Sequence, residues 1–429
     1  MPVPPIGAHP MLVLLLQLAL LLGLAVLFGR IAVRLRLPAV VGELTAGVLL
    51  GPSLLEHVAP GAAGWLFPRA AGQLNLLDAV GLLGVLLLVG ITGMHLDLPL
   101  IRRQGAKAAA VSACGLLVPL GLGIATAFVL PASMLGTRSD RTVFALFIGV
   151  ALCVSAIPVI AKTLLEMRLL HRDVGQLIIA AAAVDDIAGW LLLSVVSAMV
   201  ITGVTAGFVL TSVGYLLAII VFAVLIGRPV VRICLRWAAR TGEAGVAVAT
   251  VVVLLLFAGA GTHALGMEPI LGTLLCGILI GSAGVQELPD LTALRTFVLA
   301  VLAPLFFATA GLRMDLTALR HPPILLAGVA VLLVAVVGKF AGAYLGARLG
   351  GLDHWRGLAV GAGLNARGVI EVIVAMVGLR LGILSTASFT IVMLIAIVTS
   401  LMAPPLLRAA MRRIAVTPAE QARDTAYAT

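Results

Sequence analysis

The sequence predicts an all-α polytopic membrane protein of about 13 transmembrane helices built as two inverted halves. Three observations predict it. Of 429 residues, 62% are hydrophobic before the 47 glycines are counted, only 11% are charged, and the mean hydropathy is +1.21. Apolar runs near 20 residues recur along almost the whole chain, which is the length a helix needs to cross a bilayer. Two glycine-rich signatures also recur, both seven spans apart. Soluble domains carry roughly a quarter charged residues, so the composition excludes a soluble enzyme, a disordered protein and a disulfide scaffold. The runs are too long and too rich in Leu and Ala for a membrane barrel, whose strands are short and alternating. Helices are the remaining way to satisfy a backbone in lipid.

The spans are expected at roughly 10–29, 38–56, 74–94, 106–131, 142–166, 173–200, 205–227, 243–262, 266–284, 292–312, 322–347, 355–378 and 386–410. The first has no basic stretch ahead of it and runs past the length of a signal core, so it reads as a retained span. Span 2 carries GVLLGPS (Gly47–Ser53), and span 9 carries GILIGS (Gly277–Ser282). Span 3 ends GITGMHLDLPLIRR (Gly90–Arg103), and span 10 ends ATAGLRMDLTALR (Ala308–Arg320). These align Gly93 with Gly311, Asp97 with Asp315 and Arg102 with Arg320. An odd number of crossings turns the second copy upside down. Spans 2–6 and 9–13 then form an inverted repeat, the plan of many secondary transporters.

The net charge of +10 is not a nucleic-acid signal, because the basic residues sit in short loops. Odd-to-even connections and the C-terminal end hold 19 Lys and Arg, against 6 on the opposite side. The stretch Arg228–Arg240 is read as one such loop. Positive loops stay inside, so the N-terminus is expected outside and the C-terminus in the cytoplasm. The four cysteines fall in or beside apolar runs at unrelated spacings and read as packing residues. No metal spacing among the histidines and no phosphate loop around Gly338–Lys339 is present, and no cofactor is expected.

Ionisable residues deep in a span cost at least about 2.5 kcal/mol each and default to functional candidates. Here they are Asp185, Asp186, Lys339, Arg367 and Glu371, with Glu43 and Asp78 nearer span ends. Asp185–Asp186 lies mid-span in IIAAAAVDDIAGWLLL. Adjacent helical residues point about 100° apart, so one can line a cavity while the other meets a partner. One reading is a helix-pairing acid beside a bystander. The other is proton and cation binding. Burial and a neighbouring like charge bring carboxylates into the range where a proton exchanges for a cation, and oxygen ligands suit hard cations. Lys339 needs a buried partner, one of the two aspartates, either as a fixed ion pair or as a switch. Span 5 (ALCVSAIPVIAKTLLEM) has Ser155 and Pro158 mid-span, and proline should kink or unwind it. Span 12 (GAGLNARGVIEVIVAM) has Asn365, Arg367 and Gly368 at the matching depth. Two interrupted helices at matching places are a pointer to a transport site. An ordinary kink plus a salt bridge between Arg367 and Glu371 on one helix face is the plainer reading. Glu43 and Asp78 read as packing or membrane-entry residues.

PAVVGELTAGVLLGPSLL, the segment from Ser155 to Trp190, APLFFATAGLRMDL and NARGVIEVIV together resemble the second cation:proton antiporter family. These are bacterial sodium/hydrogen exchanger-like proteins with a Kef or cation/H⁺-exchanger type of membrane domain. The likeness covers about 38–410. One branch commonly has Asn-Asp where Asp185–Asp186 stands, and the Asp-Asp pair is similar to the electrogenic members. The resemblance implies an inverted-repeat sodium/proton antiporter fold with two broken crossing helices, spans 5 and 12. It implies one membrane domain over 1–413, with a core at about 106–200 and 322–412 and a dimerisation platform at about 10–94 and 243–312. A linker helix at about 205–227 would join them, and 414–429 would be a short cytoplasmic tail with no nucleotide-binding domain. Asp186 would be the main cation and proton site, Asp185 the partner of Lys339, and Ser155 a further ligand. The only metal would be the transported Na⁺, K⁺ or Li⁺, exchanged for H⁺. The expected protein is therefore a non-enzymatic, homodimeric antiporter of the bacterial cytoplasmic membrane, moving its core like an elevator. An organic-anion symporter on a related fold would lack the carboxylate pair. A non-transporting sensor or partner subunit would show no ion flux.

Overall fold

The computed structural model describes residues 7–35, 37–68, 71–96, 98–202, 214, 218–284, 291–418 and 420–421. Among these residues no strand occurs, and the protein is a multi-pass helical membrane protein. Ten helices are long and apolar enough to cross a membrane, or eleven if the bent pair His354–Leu364 and Val369–Arg380, 46° apart, is one span.

The helices are α1 (Ala8–Arg34), α2 (Ala39–Leu50), α3 (Ala71–Met94), α4 (Leu98–Val129), α5 (Arg141–Cys153), α6 (Ile157–Glu166) and α7 (Asp173–Thr202). They continue as α8 (Ala218–Thr241), α9 (Ala244–Ala264), α10 (Pro269–Gly281), α11 (Thr292–Leu312) and α12 (Pro322–Leu349). The last three are α13 (His354–Leu364), α14 (Val369–Arg380) and α15 (Thr386–Met411). The chain divides into two compact units: Met1–His95 with Tyr215–Thr317, and Leu96–Gly214 with Ala318–Thr429.

The first unit holds α1–α3 and α8–α11. Its buried face on α1 is Val13, Gln17, Leu21, Ala25, Gly29 and Ala32, a near four-residue rhythm that leaves the other faces for lipid. The glycines of the sequence repeat are where its helices cross. Gly47 on α2 lies against Ala308 on α11, and Gly311 on α11 lies against Leu44 on α2, with no room for a Cβ at either. Gly277 on α10 meets the Gly90 carbonyl on α3, and Gly93 on α3 meets Leu274 on α10 in the same way. Without a hydrophobic drive between helices in lipid, such close backbone approach supplies the packing. Asp97, aligned in the repeat with Asp315, lies outside the described residues.

The second unit holds α4–α7 and α12–α15. Its apolar core is alanine-rich, with Ala180, Ala181, Ala182, Ala343, Ala347, Ala359 and Ala362 at most 1% exposed. Small side chains let α4 and α12 pack closely, and Gly342 and Gly346 meet the carbonyls of Cys114 and Ala110.

Several expectations shift. The stretch Arg228–Arg240 is not a loop but the second half of α8. Its buried Val231, Leu235 and Ala238 anchor one face, and Gly242, with φ 68°, ends it. Hydropathy alone missed it because arginine is a good helix former but not an apolar one. A kink at the non-helical Gly105, φ 47°, falls just before the helix expected at 106–131, and a short helical stretch from Leu98 precedes it. The span expected at 266–284 is the 13-residue α10. Of the expected linker at 205–227, residues 205–213 and 215–217 lie outside the described residues, as do 419 and 422–429 of the tail.

Candidate functional site

Two helix interruptions in the second unit build the site. Between α5 and α6, Val154 takes up extended backbone and Ser155–Ala156 stay non-helical. Pro158 is the second residue of α6, where a missing N–H costs nothing, so the break precedes the proline. Between α13 and α14, Asn365–Gly368 are non-helical. The interruptions hold each other. Ala156 N–H donates to the Ala366 carbonyl at 3.3 Å, and Ser155 Oγ donates to the Leu364 carbonyl at 3.1 Å. Gly368 lies against Val159 of α6, with no room for a Cβ.

The open end of α5 carries the partial negative charge of its unpaired carbonyls, and two buried cations cover it. Lys339 on α12 donates to the Cys153 carbonyl at 2.5 Å and to the Gly115 carbonyl at 3.0 Å. Arg367 donates to Leu152 at 2.6 Å, to Ala151 at 3.4 Å and to Ala335 of α12 at 3.0 Å. Arg367 lies in the interruption itself, not on a helix face with Glu371. The two still pair at 3.2 Å, because Glu371 sits in the first turn of α14. Ser400 Oγ on α15 donates to the Arg367 carbonyl.

The adjacent aspartates of α7 differ sharply. Asp185 is fully buried and fully met. Its Oδ2 takes Lys339 Nζ at 2.6 Å and Ser155 Oγ at 3.1 Å, and its Oδ1 takes Ser112 Oγ of α4 at 2.5 Å. Ser155 has one O–H for two acceptors, Asp185 and Leu364, so it serves one at a time. Asp186 is 2% exposed, and its carboxylate meets no side-chain donor among the described residues; only the Ile157 N–H at the start of α6 faces it, beyond close hydrogen-bond geometry. Asn365 is also fully buried with both amide atoms unpartnered, and Glu371 Oε2 is likewise bare. Buried polar groups are nearly always bonded, which sets Asn365 and Glu371 apart beside the second interruption.

Ser112 and the carbonyls of Gly115, Ala151, Leu152, Cys153 and Ala335 are the contributors that sequence reasoning missed. A serine in an alanine-rich span and a backbone acceptor leave almost no signal. Glu43 and Asp78 belong to the other unit. Glu43 packs over Gly29 of α1, and Asp78 accepts Arg313 Nη2 at 2.5 and 2.6 Å.

Past α15 the chain returns to the start of α7. Arg172 donates to the Ile414 and Ala415 carbonyls and pairs with Glu420 at 3.2 Å. Glu420 accepts the N–H of Asp173, the first residue of α7, at 2.8 Å. Burial would push the Glu420 carboxyl up, but the Thr417 and Asp173 N–H groups and Arg172 outweigh it and hold it at about 2.

Comparisons with known proteins place this geometry. The model of the family described as sodium/hydrogen exchanger, transmembrane, matches residues 18–413. The Na⁺/H⁺ antiporter NhaS4 of Synechocystis is 32% identical over 401 residues, covering 93% of this chain and 97% of that protein. The high-affinity Na⁺/H⁺ antiporter NhaS3 of the same organism is 30% identical, over 92% of this chain and 89% of its own. Cation/H⁺ antiporter 20 of Arabidopsis thaliana is 30% identical, and the chain spans 48% of that longer protein. The solved sodium proton antiporter MjNhaP1 of Methanocaldococcus jannaschii superposes with a TM-score of 0.67 at 16% identity, covering 94% of this chain and 99% of that one.

Proposed function

The chain belongs to the sodium/hydrogen exchanger family, and from that premise we propose that it is a secondary antiporter exchanging Na⁺, K⁺ or Li⁺ for protons. The observation that carries this is the contrast between the aspartates. Asp185 is saturated by donors and keeps its place, whereas Asp186 is buried with no side-chain donor and only the Ile157 N–H facing it. A bare carboxylate at that depth takes a proton or a cation, since burying a lone charge is very costly. The two occupants exclude one another, which couples the two fluxes. Asn365 and Ser155 supply further oxygens near the same interruptions, in keeping with a dehydrated alkali cation. A site for an organic anion would need surplus donors instead, and Lys339 and Arg367 are already committed to carbonyls and acids.

The wider plan follows the family. Of thirteen spans, 2–6 and 9–13 form an inverted repeat, with α5–α6 and α13–α14 as the broken helices that cross. The matched glycine crossings of α2 with α11 and of α10 with α3 support the repeat. The second unit corresponds to a mobile core moving like an elevator and the first to a dimerisation platform, in a cytoplasmic membrane with the N-terminus outside. Two titratable neighbours and a lysine allow two protons per cation, which makes exchange electrogenic.

The test uses purified protein in proteoliposomes loaded with a pH dye and challenged with each cation. Wild type should exchange. Asp186→Asn should remain folded and exchange nothing at any pH, and normal flux from that variant would remove Asp186 from the mechanism. A current on a solid-supported membrane would separate electrogenic from neutral exchange.

A further inference from the structure

We propose that α8 carries a binding site for the headgroup of an anionic phospholipid, separate from the cation site and independent of the antiport reading. Arg228, Arg232, Arg236 and Arg240 recur every fourth residue along its second half. Each such step turns the helix by about 40°, so the four form one ladder within about 120° of its circumference. Like charges at this spacing repel and weaken a helix unless anions sit between them. No described carboxylate pairs with any of the four. Arg228, Arg236 and Arg240 are exposed. Arg232 is half-buried, and its Nε is a buried donor without an acceptor.

The rest of the helix says which anion fits. On one side of the ladder Val231, Leu235 and Ala238 are buried. On the other, Val230, Ile233 and Trp237 are exposed at 45%, 67% and 60%. The ladder therefore borders an apolar strip, on the amphipathic second half of a helix of which an 18-residue stretch is apolar enough to span a membrane. Arginine above an aromatic and aliphatic strip is the arrangement that meets a lipid at headgroup depth, with phosphate on the guanidinium groups and acyl chains along Ile233 and Trp237. A soluble acidic partner would leave the exposed strip without a cover. By the charge bias of the loops, this lipid belongs to the cytoplasmic leaflet.

The experiment incubates the detergent-purified chain with phosphatidylglycerol, phosphatidylcholine or inorganic phosphate. Thermal melting and native mass spectrometry then read the retained lipid. Phosphatidylglycerol should stay bound and raise the melting temperature, while the other two do neither. Each arginine removed should weaken retention about fivefold, so R232Q/R236Q should lose roughly 30-fold. Should the double variant fail to fold, the exposed single variants Arg236→Gln and Arg240→Gln carry the test, with Arg236→Lys keeping most of the effect. Equal shifts from phosphatidylcholine, a shift from phosphate alone, or full retention by the arginine variants would each overturn the site.

Discussion

Both units pack helices glycine to backbone, but only the second adds a buried charge network. In the first, α2 against α11 and α10 against α3 meet glycine to backbone, and the one carboxylate buried below a tenth exposure among the described residues is Glu268, at the start of α10. In the second, Asp185, Asp186, Lys339, Arg367 and Glu371 are all at most 2% exposed, around two interrupted helices. Close-packed small residues tolerate little change in volume but are indifferent to charge. A buried charge network tolerates no change in charge and needs every partner present. The difference teaches that damage in the first unit should be volume-driven, while the second adds a charge-driven sensitivity to its own tight crossings.

The largest expected effect breaks the first half of that comparison. Gly277→Val puts a branched side chain against the Gly90 carbonyl, where the obstacle is backbone and cannot swing aside. Overpacking that side chains can absorb costs about 1–3 kcal/mol, and a clash with backbone that cannot yield goes well beyond that, enough to prevent folding. Size-exclusion chromatography should show little or no monodisperse protein. A well-folded variant would mean that the crossing is loose. Next in size is Lys339→Gln, which nearly preserves volume but strips Asp185 of its cation. Breaking a buried pair costs on the order of 3–5 kcal/mol, so the melting temperature should drop by several degrees or more. No drop would put the pair's stabilising role in doubt. Ser112→Ala is a smaller version of the same test. It removes one of three donors to Asp185, with an expected loss of about 1–3 kcal/mol, and an unchanged melt would show that Lys339 and Ser155 suffice.

The charge network was largely legible in the sequence and the packing network was not. Asp185–Asp186, Lys339, Arg367 and Glu371 stand out because apolar spans make any charge conspicuous. The residues alone do not say which aspartate is saturated; only the family resemblance pairs Asp185 with Lys339. Saturation depends on Ser112, 73 residues away, and on the lysine's reach across from α12. The repeat glycines were visible as a pattern, but that they are contact points follows only from the fold. Arg367 was placed on a helix face because the spacing to Glu371 is helical, whereas the interruption at Asn365–Gly368 is held by bonds to Ser155 and Ala156 that no spacing encodes. The second half of α8 looks like a loop in sequence because its four arginines mask Val231, Leu235 and Ala238, whose burial only the fold shows.

The smallest expected effect concerns the join at the far end of the charged unit. Glu420 lies at the start of α7, the helix that carries both aspartates, and its carboxyl is held at about 2 against an ordinary 4.5. A folded-state value below the unfolded one stabilises the fold fully above the unfolded value, and that contribution is lost as pH falls toward the folded value. Glu420→Gln should therefore melt below wild type at pH 7, and the gap should narrow as pH falls from about 4.5 toward about 2. Measuring the gap rather than either melt cancels acid effects elsewhere in the chain. A gap that stays constant with pH would mean that Glu420 contributes through packing rather than charge. The charge-driven rule would then stop at the buried network around the interruptions and not extend to the ends of its helices.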